Sequence, residues 1–163
     1  MPATYEPIAS VTLGTAASTV TFSSIPGTYT DLILMLSGSL TSGTSVWGLQ
    51  YNSDTAANYS WTSLRGDGSS ATSARDSGST RILCGWIGTS QVTEIVHIMN
   101  YSNATTNKTN ISRNNSTVAS TYVSANVGLW RNSTVAINAI TARTDSSTFA
   151  TGSIFTIYGI KAA

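Results

Sequence analysis

The sequence predicts an all-β fold, a two-sheet antiparallel β-sandwich of jelly-roll type, and three observations predict it. Short runs rich in Val, Ile, Thr, Phe, Tyr and Trp recur, separated by clusters of Gly, Ser, Asn and Asp, as strands and turns alternate in sandwiches. Several runs alternate with period two, the spacing of a half-buried strand. Helical i, i+3, i+4 patterning is missing, and about a third of the residues are Ser or Thr, whose hydroxyls compete with helical backbone bonding.

In chain order, strands are expected near Ile8–Leu13, Thr19–Ile25, Asp31–Ser37, Val46–Tyr51, Tyr59–Leu64, Arg81–Ile87, Val92–Met99, Thr109–Ser112, Val118–Trp130, Val135–Ala142 and Ile154–Ile160. In the second, Val20 and Phe22 face one way, and Thr19, Thr21 and Ser23 the other. Leu32–Leu36 is apolar on both faces, which predicts a central strand covered on both sides. Pro26-Gly27 before it and Ser37-Gly38 after it leave room for a strand only. In the last, Ile154, Thr156, Tyr158 and Ile160 oppose Phe155 and Ile157. Gly66–Thr80 has almost nothing to bury and reads as a long binding or neighbour-ordered loop. Asn100–Lys108 reads as a turn or crossover.

One domain over residues 1–163 is the expectation at this length. Met1–Pro7, with two prolines and Tyr5, reads as an extended arm. Charged residues make up 9% of the chain, against roughly 25% in ordinary domains. The net charge is +1, with no Lys or Arg cluster to neutralise several phosphates, so nucleic acid is not an expected partner. A neutral, hydroxyl-rich surface lacks long-range self-repulsion and suits association that depends little on salt. Edge strands are usually guarded by Lys, Pro or bulges. Lys occurs only at positions 108 and 161, so edges are expected to be covered by the chain's own arms or by another copy. No stretch approaches 18 consecutive apolar residues, and the N-terminus lacks the pattern of a signal peptide. No membrane partner is expected.

The search for chemistry finds no catalytic, metal or cofactor residues. Cys84, the single cysteine, lies in the apolar run Arg81–Ile87 and reads as a buried thiol. His97, the single histidine, shares a face with Ile95 and Met99 and reads as a hydrogen-bonded core or interface residue. The carboxylates stand in no D-x-D or H-E-x-x-H spacing, and Gly66-Asp67-Gly68 lacks the third glycine of a phosphate loop. Arg65-Gly66-Asp67 spells a cell-adhesion tripeptide, but a strand end followed by a turn accounts for it. Asn-x-Ser/Thr triplets follow freely from the Ser/Thr density. Trp47, Trp61, Trp86 and Trp130 could pack the core, anchor an interface or stack on sugars. Trp130-Arg131 joins two residue types favoured at interfaces. The candidate interface set is Tyr5, Trp47, Trp61, Trp130 and Arg131.

Tyr5-Glu6-Pro7-Ile8-Ala9, the run Phe22–Leu32, Asn52-Ser53-Asp54 with Asn58-Tyr59-Ser60, Asn100-Tyr101-Ser102-Asn103 with Lys108-Thr109, Leu129-Trp130-Arg131 with Ala136-Ile137-Asn138, and the ending Phe149–Ile160 form a set. Together they resemble small virion proteins of tailed phages, familiar from aquatic and cyanobacterial phages. The resemblance spans nearly the whole chain. It implies a non-enzymatic virion component, made in the host cytoplasm and used on the outer capsid surface. The implied role is a capsid cement or decoration protein, favoured as a homotrimer that bridges major capsid protein subunits. A tail or head fibre module touching host glycans is the alternative.

Overall fold

The computed structural model describes residues 4–116 and 122–161. Twelve strands run in order: β1 (Tyr5–Thr12), β2 (Thr19–Phe22), β3 (Asp31–Gly38), β4 (Thr44–Tyr51), β5 (Tyr59–Gly66), β6 (Ala71–Ser79), β7 (Ile82–Gly88), β8 (Val92–Met99), β9 (Lys108–Ser116), β10 (Tyr122–Trp130), β11 (Ile140–Thr144) and β12 (Ile154–Ile160). Among the described residues there is no helix, so none is long and apolar enough to cross a membrane.

All strand pairs are antiparallel. One sheet has eight strands in the order β1-β12-β3-β8-β9-β10-β5-β6, and the other four in the order β2-β11-β4-β7. Without β5, β6, β9 and β10, two four-stranded sheets remain, β1-β12-β3-β8 and β2-β11-β4-β7. That is the interleaved order of a jelly roll, two Greek keys wound on each other. The hairpin β5–β6 is inserted between β4 and β7, and β9–β10 between β8 and β11. The two insertions pair through β10 and β5 and join the jelly roll through β9 on β8, which extends the large sheet by four strands.

Alternation puts Leu32, Leu34 and Leu36 of β3, Val96 and Ile98 of β8, and Phe155 and Ile157 of β12 on the inner face. Trp47, Leu49 and Tyr51 of β4 meet them from the small sheet. Phe149 packs edge-on against Phe155, with centroids 4.9 Å apart, and against Trp47 at 6.5 Å.

Beyond β8 the inner face turns polar. Asn110, Ser112 and Asn114 of β9 and Ser124 and Asn126 of β10 are all buried. They face β7, the border strand of the small sheet, and bond its backbone. Ser112 Oγ and Asn126 Nδ2 each donate to Cys84 O at 2.6 Å, and Asn114 Nδ2 donates to Trp86 O at 3.1 Å. Side chains of the insertion thus satisfy carbonyls that a neighbouring strand would otherwise take. The close approach also fixes Gly128 of β10: a Cβ there would fall 2.1 Å from Ile82 Cγ2 on β7.

Four expectations need correction. Gly66–Thr80 is not a loop; most of it is β6, paired along β5 from Gly66↔Ala71 to Tyr59↔Ser79. Eight of its nine residues are exposed, so backbone pairing rather than burial forms it. Of the arm expected at Met1–Pro7, residues 1–3 lie outside the described residues, and Tyr5–Pro7 are part of the sheet: they pair with Tyr158–Ile160 in β1, and a bulge follows between Pro7 and Ala9. Pro7 is tolerated because β1 is an edge strand. The strand expected at Val135–Ala142 is displaced, since residues 135–139 are irregular and β11 starts at Ile140. Leu32–Leu36 is central, between β12 and β8, but its outer side is covered less than its inner one: Ile33 is buried, whereas Met35 is half-buried. Residues 118–121 of the strand expected at Val118–Trp130 lie outside the described residues.

Candidate interaction surface

Strand registers fix which side chains share the outer face of the large sheet. One cross-strand row reads Tyr158, Ile33, His97, Ile111, Val127, Thr62 and Arg75. The next reads Thr156, Met35, Ile95, Arg113, Ala125, Leu64 and Ser73. Ile154 and Val123 continue the face beyond it, and Tyr5 and Ile160 border it on the other side. Among the described residues, seven large hydrophobic residues are exposed, and six lie here: Tyr5, Leu64, Ile111, Val123, Val127 and Ile154. Leu64 and Val123 keep 60% and 63% of their surface in water. Eight strands at about 4.8 Å spacing and eight residues at about 3.4 Å rise cover roughly 900 Å². That area counts polar and apolar positions together, with His97, Arg113, Arg75 and three Ser or Thr among the two rows.

The face is also concave. One depression of about 870 Å³ is lined by Leu64, Ile95, Arg113, Val123 and Ala125, among others. A second, of about 380 Å³, adjoins it around Thr62, Arg75, Val127 and Leu129. Charge is sparse. His97 Nε2 and Asp31 Oδ2 stand 2.9 Å apart, and Asp31 Oδ1 also accepts the backbone N–H of Asn100 at 2.7 Å. Arg75 and Arg113 are exposed on the same rows.

The structure divides the candidate interface set. Tyr5 is exposed, at the β1 border of the face. Trp47 and Trp130 are not interface residues: both are buried. Their placement has one physical cause, since each buried indole N–H finds a carboxyl group. Trp47 Nε1 donates to Glu94 Oε2, and Trp130 Nε1 to Asp54 Oδ2 at 2.8 Å. Trp130 stacks on Tyr59 at 6.3 Å and tilts against Tyr51 at 5.6 Å. Arg131 is half-buried and donates to Ala57 O at 2.7 Å, which holds the β4–β5 turn. Trp61 is half-buried on the inner side of β5, in a narrow cleft of about 150 Å³ with Leu83 and Trp86. Leu64, Ile111, Val123 and Val127, which the candidate set leaves out, form the open face. Their signal was present as alternation in Tyr59–Leu64 and in the run ending at Trp130. Only the sheet order shows that they share one side.

The remaining chemical groups are structural. Cys84 is buried, and burial pushes its thiol well above the usual range, with the Glu94 carboxyl adding to it. Glu94 is fully buried between Trp47 and Asn114, and burial raises its carboxyl to about 8. Oε1 of Glu94 has no hydrogen-bond partner, which fits a protonated acid. Arg65 lies over the Trp86 ring at 5.5 Å. Asp67 accepts the backbone N–H groups of Ser69 and Ser70 at 2.9 and 2.7 Å, which hold its carboxyl far below the usual range. The Arg65-Gly66-Asp67 triplet is therefore a strand end and a capped turn. Among the described residues, no group of three or more His, Cys, Asp or Glu could hold a metal ion.

Comparison with known proteins adds little. No protein-family model matches the chain, and no curated protein does. Among solved structures, a protease from Clostridium perfringens, CspB, aligns at 10% identity over 88% of this chain and 25% of its own, with a TM-score of 0.15. The chain thus spans about a quarter of that protein's length, and overlap this poor carries no argument.

Proposed function

We propose that this chain is a non-enzymatic structural protein of a phage virion. In this reading it is a capsid cement protein that works as a homotrimer and bridges major capsid subunits from outside. The observation that carries it is the outer face of the eight-stranded sheet, where six of the seven exposed large hydrophobic side chains among the described residues stand together. An area of roughly 900 Å² is close to the ~800 Å² each partner contributes to a standard stable interface. Jelly rolls serve viral capsid and lectin domains alike, so the fold alone does not choose between them. The surface favours assembly, because the two most deeply buried tryptophans, Trp47 and Trp130, are unavailable to stack on sugars.

Two measurements test the proposal. Mass in solution should report a trimer, and the protein should co-sediment with empty heads of its phage at hundreds of copies per particle. A monomer at millimolar concentration that leaves both heads and tails bare removes the proposal. A few dozen copies confined to the tail would favour the fibre alternative.

A further inference from the structure

Within the outer face, we propose that the 870 Å³ depression receives a partner protein segment carrying apolar side chains and one carboxylate, which pairs with the Arg113 guanidinium. This rests on the assembly reading above and gives its docking surface a chemistry. Cross-strand register seats Arg113 between Ile95 of β8 and Ala125 of β10. Leu64 and Val123 lie within the same lining. Among the described residues, the Arg113 side chain makes no hydrogen bond and no ion pair.

Two acids near this face are committed elsewhere. Asp31, on the same face, is held by His97 and the Asn100 N–H. Asp67, in the β5–β6 turn, is held by Ser69 and Ser70. Covering a lone guanidinium with apolar surface costs its hydration unless an anion arrives with the cover. A guanidinium takes a carboxylate in a bidentate geometry that adds direction to the contact.

Charge also chooses the occupant. A second copy seated through the same face would bring another Arg113 and Arg75, while its nearest carboxylate, Asp76, sits beside Arg75 in the second depression and not in that of Arg113. Like charges would then meet across a dry contact, which suppresses pairing. A foreign surface with an acidic residue among apolar ones complements the depression.

The test has two arms. In the first, the ¹⁵N-labelled full chain is titrated with the extended peptide acetyl-Val-Leu-Glu-Leu-Val-amide and with its Gln and Lys counterparts. The Glu peptide should shift amides of β5, β9 and β10 and bind about tenfold more tightly than either counterpart. Arg113→Gln should abolish that preference and Arg113→Lys retain part of it, with melting unchanged. Equal affinity for all three peptides, shifts away from these strands, or no binding at millimolar peptide overturns the inference. In the second arm, wild type and Arg113→Glu are sedimented with empty heads. Loss of binding in the variant alone supports the inference. Equal binding of both overturns it and leaves the cement reading standing, whereas a wild type that fails to bind removes that reading itself.

Discussion

Trp130 and Asp54 are joined across the end of the molecule by an indole N–H that donates to the carboxylate at 2.8 Å. Asn58 Nδ2 reaches the same oxygen at 3.0 Å, and the Ala56 N–H reaches the other at 2.9 Å. Burial opposes ionisation of Asp54, yet these donors outweigh it and hold the carboxyl below its usual range. The β4–β5 turn is therefore pinned to the last residue of β10, and the insertion is fastened at its base.

Asp54→Ala should destabilise the protein by about 1.5–3 kcal/mol, the range for hydrogen bonds to a charged group. Because the folded carboxyl sits low, its stabilisation is present above the unfolded value and is lost as pH falls through the folded one. Urea titrations from pH 6 down to pH 3 should show a steeper acid decline in wild type than in Asp54→Ala.

Glu94 gives the opposite pH dependence. Its folded value of about 8 lies above that of an unfolded glutamate, so protonation favours the folded state. The associated stability is complete below the unfolded value and is lost as pH rises towards 8. Glu94→Gln, which keeps the acceptor for Trp47 and carries no charge, should flatten the urea midpoint between pH 5 and 9. At pH 9 it should be more stable than wild type by on the order of 3 kcal/mol. A parallel decline of both proteins would show that another group titrates.

Cys84 should be inert in the native state, because its raised thiol is buried and reacts only as thiolate. Ellman's reagent should label no thiol in buffer and one in 6 M guanidinium. Rapid native labelling would mean that β7 opens easily.

Gly128→Ala should cost about 1–3 kcal/mol, the usual range for forcing a methyl into a filled core. The added carbon meets Ile82 Cγ2 at 2.1 Å and Asn110 Oδ1 at 2.5 Å, so β10 must lift from β7. Gly14→Ala, with open space around it, is the control and should leave the melting temperature unchanged.

Leu64→Lys and Val127→Lys should leave thermal stability within about 0.5 kcal/mol of wild type, as surface changes usually do. On the proposed function each should weaken co-sedimentation with phage heads severalfold. Thr21→Lys, on the exposed side of the small sheet, should bind as wild type does.

Legibility followed burial. β3, β8 and β12 were readable because alternating or continuous apolar runs mark strands with an inward face, and β2 because Val20 and Phe22 alternate with threonines. β6 was not, because Ala71–Ser79 buries almost nothing and is held by its backbone partner, which leaves no periodic trace. Trp47 and Trp130 were misplaced because a tryptophan's destination depends on whether its N–H finds an acceptor. Those acceptors, Glu94 and Asp54, are 47 and 76 residues away. The open face was half legible: its alternating residues could be counted, but that they share one side follows from sheet order, a long-range property.

The asparagine and serine seam along β7 makes the insertion indispensable to the jelly roll it decorates. A shortened chain that retained only the eight framework strands would strand the Cys84 and Trp86 carbonyls and bare a ready template for edge-to-edge polymerisation. Deletion of β9 and β10 should therefore yield fibrils or precipitate, because the hairpin acts as a built-in chaperone for its own scaffold.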